Sequence, residues 1–72
     1  MIAVADNVTL YLARKLYIPS GCVLERFVVA VSAGCVIEWY PFEREMHSML
    51  FVDELFVSRN GDGVLLVEDI RF

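Results

Sequence analysis

At 72 residues, 58% hydrophobic and 22% charged, the chain has the length of one small domain. Such a domain buries roughly 60% of its unfolded surface, and this one is more apolar than the roughly 45–50% usual for soluble domains. A net charge of −4 with six scattered basic residues lacks the clustered Lys and Arg that phosphate contacts need, so no nucleic-acid partner is expected.

Met1 to Asp6 has no basic start and reaches an acid after five residues, unlike a secretory signal, and the protein is expected to be cytoplasmic. The longest uncharged apolar stretch, residues 27–37, is too short to cross about 30 Å of hydrocarbon as a helix, so no membrane association is expected. The useful periodicity is two rather than three to four. A first strand over residues 8–18 sets Val8, Leu10 and Leu12 against Thr9, Tyr11 and Ala13, with Arg14 and Lys15 interrupting it. Ile18-Pro19-Ser20-Gly21 then makes a turn, because Pro presets φ at the second position and Gly suits the last.

A second strand over residues 23–32 has Val23, Glu25, Phe27, Val29 and Val31 on one face and Leu24, Arg26, Val28, Ala30 and Ser32 on the other. Both faces become apolar at the middle. Ser32-Ala33-Gly34 suits a type I turn with a left-handed Gly34 in a bulge. A third strand over residues 35–42 contains Pro41, which removes a ladder donor and belongs at a sheet edge or where the strand leaves the sheet. Residues 43–48 are polar enough for a loop or one helical turn. A fourth strand over residues 49–58 alternates Leu50, Val52, Glu54 and Phe56 with Phe51, Asp53, Leu55 and Val57. Asn60-Gly61-Asp62-Gly63 is the clearest hairpin signal, with positive φ expected at Asn-Gly, and a fifth strand follows over residues 64–70. The expected fold is all-β, one domain over residues 1–72, as a small five-stranded antiparallel meander or a partial sandwich or barrel.

Few residues offer chemistry. Cys22 and Cys35 lie about ten residues apart along a hairpin, near 30 Å at about 3.3 Å per residue, whereas disulfide partners need Cα atoms within about 7 Å. Two reduced thiols are expected. His47 is the only histidine, beside Glu43 and Glu45, with no second His to close a metal site and no Cys beside it to form a nucleophilic pair. Asp53, Glu54, Glu68 and Asp69 read as solvated or edge-protecting positions, one of each adjacent pair facing each way. Asn60 to Gly63 is followed by apolar residues where a calcium loop needs oxygen ligands, so it is read as a turn. Trp39, Tyr40 and Phe42 cluster at the end of the third strand and, with Val28, form the candidate interaction surface.

Residues 12–57 resemble the opening segment of amidohydrolase-superfamily enzymes, particularly the deaminase-like members. Leu16-Tyr17 is similar to the first-strand pair, Val28-Val29-Ala30-Val31 to the second strand, Gly34 with Val36-Ile37 to the glycine and third strand, and residues 51–57 to the fourth. The resemblance implies the small β-sandwich that stands beside the catalytic barrel in those enzymes. Where that family continues with Pro-Gly-Phe and a His-x-His metal motif, this chain has Ser58-Arg59-Asn60-Gly61 and turns into another strand. No metal ligand carries over, and neither catalysis nor a cofactor is expected. Excess apolar residues in so short a chain instead point to a homo-oligomer or a protein partner. The alternative is a small-molecule or metal-binding protein using the His47 loop with Trp39 and Tyr40.

Overall fold

The computed structural model describes residues 8–44 and 49–72, so the loop that carries His47 lies outside the described residues. Five strands form: β1 (Thr9–Tyr17), β2 (Val23–Ser32), β3 (Cys35–Pro41), β4 (Met49–Arg59) and β5 (Leu65–Arg71). Each bound falls within one residue of the position read from alternation and turn signals. Among the described residues no helix is long and apolar enough to cross a membrane.

The strands close into a barrel in the order β1-β2-β3-β5-β4, with β4 returning to β1. All neighbours are antiparallel except β1 and β4, which run parallel with Leu12 opposite Phe51 and Leu16 opposite Leu55. A simple meander would set β4 beside β3. Here β5 lies between them, and the seam of β3 with β5 is short: Cys35 opposite Leu66, with the Val67 N–H donating to the Gly34 carbonyl at 3.0 Å. Pro41 is the last residue of β3, where its missing N–H removes no further ladder bond.

Strict alternation does not survive in any strand. The residues facing the core include Ala13 and Leu16 on β1, Leu24 and Phe27 on β2, Val36 and Trp39 on β3, Val52 and Leu55 on β4, and Val67 and Ile70 on β5. Within each pair the spacing is three, so two consecutive residues face outward between them. On β3 and β5 the cause is a bulge, Ile37 being the extra residue opposite the Ala30/Val31 step and Glu68 the extra one opposite Phe56/Val57. On β1, β2 and β4 the shift occurs at one level, at Arg14, Arg26 and Asp53, and Arg26 has φ 59°. Closing only five strands demands sharp local bending, which bulges and left-handed residues supply.

This corrects the expected faces. Asp53 with Glu54 and Glu68 with Asp69 both point away from the core rather than one each way, and none of the four is buried. On β2 the inward set changes from Leu24 to Phe27, Val29 and Val31, so Val23 and Glu25 do not share its face.

The core is made of Ala13, Leu16, Val29, Val31, Val36, Val52, Leu55 and Val57, with no buried polar side chain among the described residues. Ala13, Leu16, Val29 and Leu55 are fully shielded from solvent.

The two tight hairpins exchange their expected turn types. Only Ala33 and Gly34 lie between paired Ser32 and Cys35, and both have positive φ, 54° and 79°. That is the two-residue hairpin geometry expected at Asn-Gly. At the other turn three residues lie between Asn60 and Val64, and only Gly63 is left-handed, φ 82°. The Asn60 N–H donates to the Val64 carbonyl at 3.0 Å, and the Asn60 side-chain oxygen accepts from the Asp62 and Val64 amides at 2.8 and 3.0 Å. Asn60 therefore acts through its side chain as an Asx turn, and the extra loop residue forces a type I turn with a bulged glycine.

Candidate interaction face

Outside the barrel, residues on neighbouring strands line up in rows. One row runs Tyr40 on β3, Val28 on β2, Leu12 on β1 and Phe51 on β4, each opposite the next in register. All four are apolar or aromatic. Val28 is only 1% exposed although it faces outward, since Tyr40, Pro41, Glu43 and Arg44 flank it around a groove of about 250 Å³. Phe51, at the far end, is 59% exposed. Leu12 and Phe51 also border a second groove of about 300 Å³, with Arg14 and Arg26 at its rim. Both volumes fall at or below the lower bound of roughly 300–1,000 Å³ for drug-sized ligands, and so suit an inserted side chain.

Below this row the surface becomes charged. Arg26, Arg14 and Asp53 occupy one level, and Arg14 Nε donates to Asp53 Oδ1 at 2.5 Å. The hydrogen bond and charge of Arg14 hold the Asp53 carboxyl below its ordinary range. The next row alternates Glu25, Lys15, Glu54 and Arg71 across β2, β1, β4 and β5. A third row holds Tyr17 and Phe56, stacked at 4.4 Å and 8°. The Tyr17 hydroxyl donates to Glu54 Oε2 at 3.0 Å, which raises the phenol above its ordinary pKa. Arg71 lies 5.3 Å from the Phe56 ring centre and pairs with Asp69 at 3.3 Å. These contacts fix the aromatic pair, so that end of the barrel is a braced surface rather than a groove.

The four residues singled out in the sequence do not share one surface. Tyr40 and Val28 belong to the outer row, but Trp39 packs against the core from inside. Phe42 follows β3, its N–H donating to the Arg26 carbonyl at 2.9 Å, with the Arg26 guanidinium 5.5 Å from its ring centre. Trp39 and Tyr40 face opposite sides of β3 and cannot wall one ligand together. Cys22 is exposed beyond the Pro19–Gly21 turn and Cys35 half-buried at the far end of β2, both as free thiols. Among the described residues no three His, Cys, Asp or Glu side chains converge to hold a metal ion.

Leu12 and Phe51, the exposed end of the outer row, are not visible as a pair in the sequence. They meet because β1 and β4 run side by side, which no local signal reports. Alternation gave no hint of Phe51, since it set Phe51 on one face with Leu55 and Val57, which lie in the core.

The fold and face define a small, closed, five-stranded β-barrel with an apolar row above a charged belt. Comparison of the chain with known protein families, with curated proteins and with solved structures finds no match.

Proposed function

We propose that this chain is a non-catalytic, cytoplasmic protein-interaction module that docks through the outer face of β1 and β4. The observation that carries this is Phe51: a large aromatic side chain, 59% exposed on a strand whose neighbours Val52 and Leu55 anchor it in the core. An exposed aromatic on a rigid element, next to a side-chain-sized groove and bordered on one side by charge, has features of an interface hot spot. The amidohydrolase resemblance leads to the same proposal, because in that family the segment stands beside a larger catalytic barrel. An apolar outer face is what such a segment would retain, with β5 taking the place of a strand supplied by the rest of the enzyme. The reduced thiols Cys22 and Cys35 are compatible with a cytoplasmic setting.

The test is affinity capture from the native cell with the wild-type chain and with Phe51→Lys, after both are shown to unfold at the same temperature. A protein recovered by the wild type and lost with Phe51→Lys is the expected result. Recovery of the same proteins by both would refute this docking face.

A further inference from the structure

We propose that Asn60 is a site of spontaneous deamidation gated by its own hairpin: the closed turn between β4 and β5 holds the reaction back, and each opening of the turn permits it. The chain has two asparagines, Asn7 before Val8 and Asn60 before Gly61, so only Asn60 has an unhindered backbone nitrogen after it. In the reaction the Gly61 nitrogen gives up its proton and bonds to Asn60 Cγ. The Cγ–Nδ2 bond breaks, ammonia leaves with that proton, and a succinimide ring remains. Water then opens the ring. Attack at Cγ leaves an ordinary aspartate, and attack at the main-chain carbonyl carbon leaves an isoaspartyl residue whose main chain runs through Cβ and Cγ. Water is the only co-reactant.

The turn supplies both the reactive pair and the gate. Asn60 and Gly61 are exposed, and the Gly61 N–H makes no hydrogen bond among the described residues. The next such pair, Asp62-Gly63, differs in that the Gly63 N–H is engaged, donating to the Asn60 carbonyl at 3.0 Å. Asn60 itself is held at every polar group of the turn. Its Oδ1 accepts from the Asp62 and Val64 amides, its N–H donates to the Val64 carbonyl, and its carbonyl accepts from Gly63. Ring closure rotates Asn60 about Cα–Cβ and Cα–C, which breaks the side-chain bonds and the bond from Gly63. The rate therefore follows the fraction of molecules whose turn is open.

The two products differ in what they do to the barrel. Aspartate keeps an acceptor for the Asp62 and Val64 amides, so the turn persists. Isoaspartate lengthens the main chain immediately after Arg59, which is paired with Leu65, and the register of β5 on β4 cannot be kept at the turn. Among the described residues β5 is joined to β3 by one pair, Cys35 opposite Leu66, close to that turn. A shift of β5 therefore opens the barrel at this seam and uncovers the half-buried Cys35 thiol.

The experiment incubates the full chain in mildly alkaline buffer, folded and in guanidinium chloride, with peptide mapping by mass spectrometry to separate amide, aspartyl and isoaspartyl forms. Deamidation at Asn60 is expected to be at least about tenfold slower in the folded chain, since closed turns do not react. Gly61→Ala, whose added Cβ meets nothing within 4 Å in the fold, crowds the attacking nitrogen and should lose the reaction in guanidinium as well. Gly63→Ala leaves Asn60-Gly61 intact but puts an L-residue at φ 82°. The strained turn opens more often, and the folded variant should deamidate about 5–30-fold faster than folded wild type. Equal rates in the folded and unfolded wild type would overturn the gate, whatever Gly63→Ala does, and so would modification of Asn7 in preference to Asn60. Isolated isoaspartyl chain should react with a thiol reagent at Cys35 faster than the aspartyl chain; equal reactivity would refute the opening of the seam.

Discussion

Ala33 gives the most direct check on how the barrel is folded. It is exposed in the two-residue turn between β2 and β3, with φ 54°. Holding an L-residue with a Cβ in the left-handed region costs about 1–2 kcal/mol, and Asn visits it more readily because its short side chain bonds locally. No core contact is at stake, so a substitution changes backbone energy almost alone. Ala33→Asn recreates the Asn-Gly pair that two-residue hairpins prefer and is expected to stabilise the fold by about 0.5–1 kcal/mol. At about 4–8 °C per kcal/mol for a domain of this size, the melting temperature rises by about 2–8 °C. Ala33→Gly relieves the same strain but loses about 0.4–1 kcal/mol to the freer unfolded chain, and falls between Asn and wild type. Ala33→Val sets a branched side chain where φ is positive and is the least stable of the four. Reversible thermal and urea unfolding followed by far-ultraviolet circular dichroism ranks the series. An Asn variant less stable than wild type, or a Val variant more stable, would refute the two-residue turn and with it the register of β2 on β3.

Leu16→Ala and Leu55→Ala should each cost about 2–5 kcal/mol by urea unfolding, a large part of the about 4–11 kcal/mol expected for 72 residues. The two side chains are opposite one another across β1 and β4, so the double variant should lose less than the sum of the two; strict additivity would place them apart. For Tyr17 the folded pKa is raised, so the bond to Glu54 contributes fully below the ordinary phenol pKa and is lost as pH rises through the folded value. Tyr17→Phe should therefore flatten the alkaline limb of the stability profile, and an unchanged limb would show the hydroxyl unbonded. For Asp53 the sign is opposite. Its folded pKa is lowered, so the ion pair contributes above the ordinary carboxylate pKa and is lost as pH falls through the folded value. Asp53→Asn should remove that acid dependence, read from the urea midpoint against pH, and should do so less in high salt.

Strand positions were legible because each strand is bounded by strong local punctuation: Pro19 to Gly21, Ala33-Gly34, and Asn60 to Gly63. The faces were not, because alternation was extended through every strand. Yet a signal for the shift is present. Ala13-Arg14-Lys15-Leu16, Leu24-Glu25-Arg26-Phe27, Val52-Asp53-Glu54-Leu55 and Val67-Glu68-Asp69-Ile70 each place two charges between apolar residues, and Val36-Ile37-Glu38-Trp39 places one. In a straight strand one residue of each doublet would be buried among apolar groups, at a cost no isolated charge recovers. The doublets therefore require a kink wherever both ends are buried. Closure was beyond reach for a different reason. Pairing β1 with β4 in parallel joins segments about 40 residues apart, and neither strand carries a residue that specifies the other. The outer row could not be assembled without that pairing. The separation of Trp39 from Tyr40 needed no such pairing, because successive residues of β3 face opposite sides.

The same kinks shape what the outside can do. Each of the five strands presents two successive residues to solvent where it bends, and the chain fills most of those places with charge. The result is a charged belt that follows from closure, not from any ligand. On β1, β2 and β4 the shift falls at one level, so Arg14, Arg26 and Asp53 mark a sharp border. On one side of it outward positions are Leu12, Val28 and Phe51; on the other they are Lys15, Glu25 and Glu54. An apolar row bounded by fixed charges is more selective than an apolar patch alone, because a partner must match a charge sequence at a set distance from the hydrophobic contact. Barrel closure sets that distance, so a change in strand register would move the belt relative to the row and alter partner choice even where the core survived.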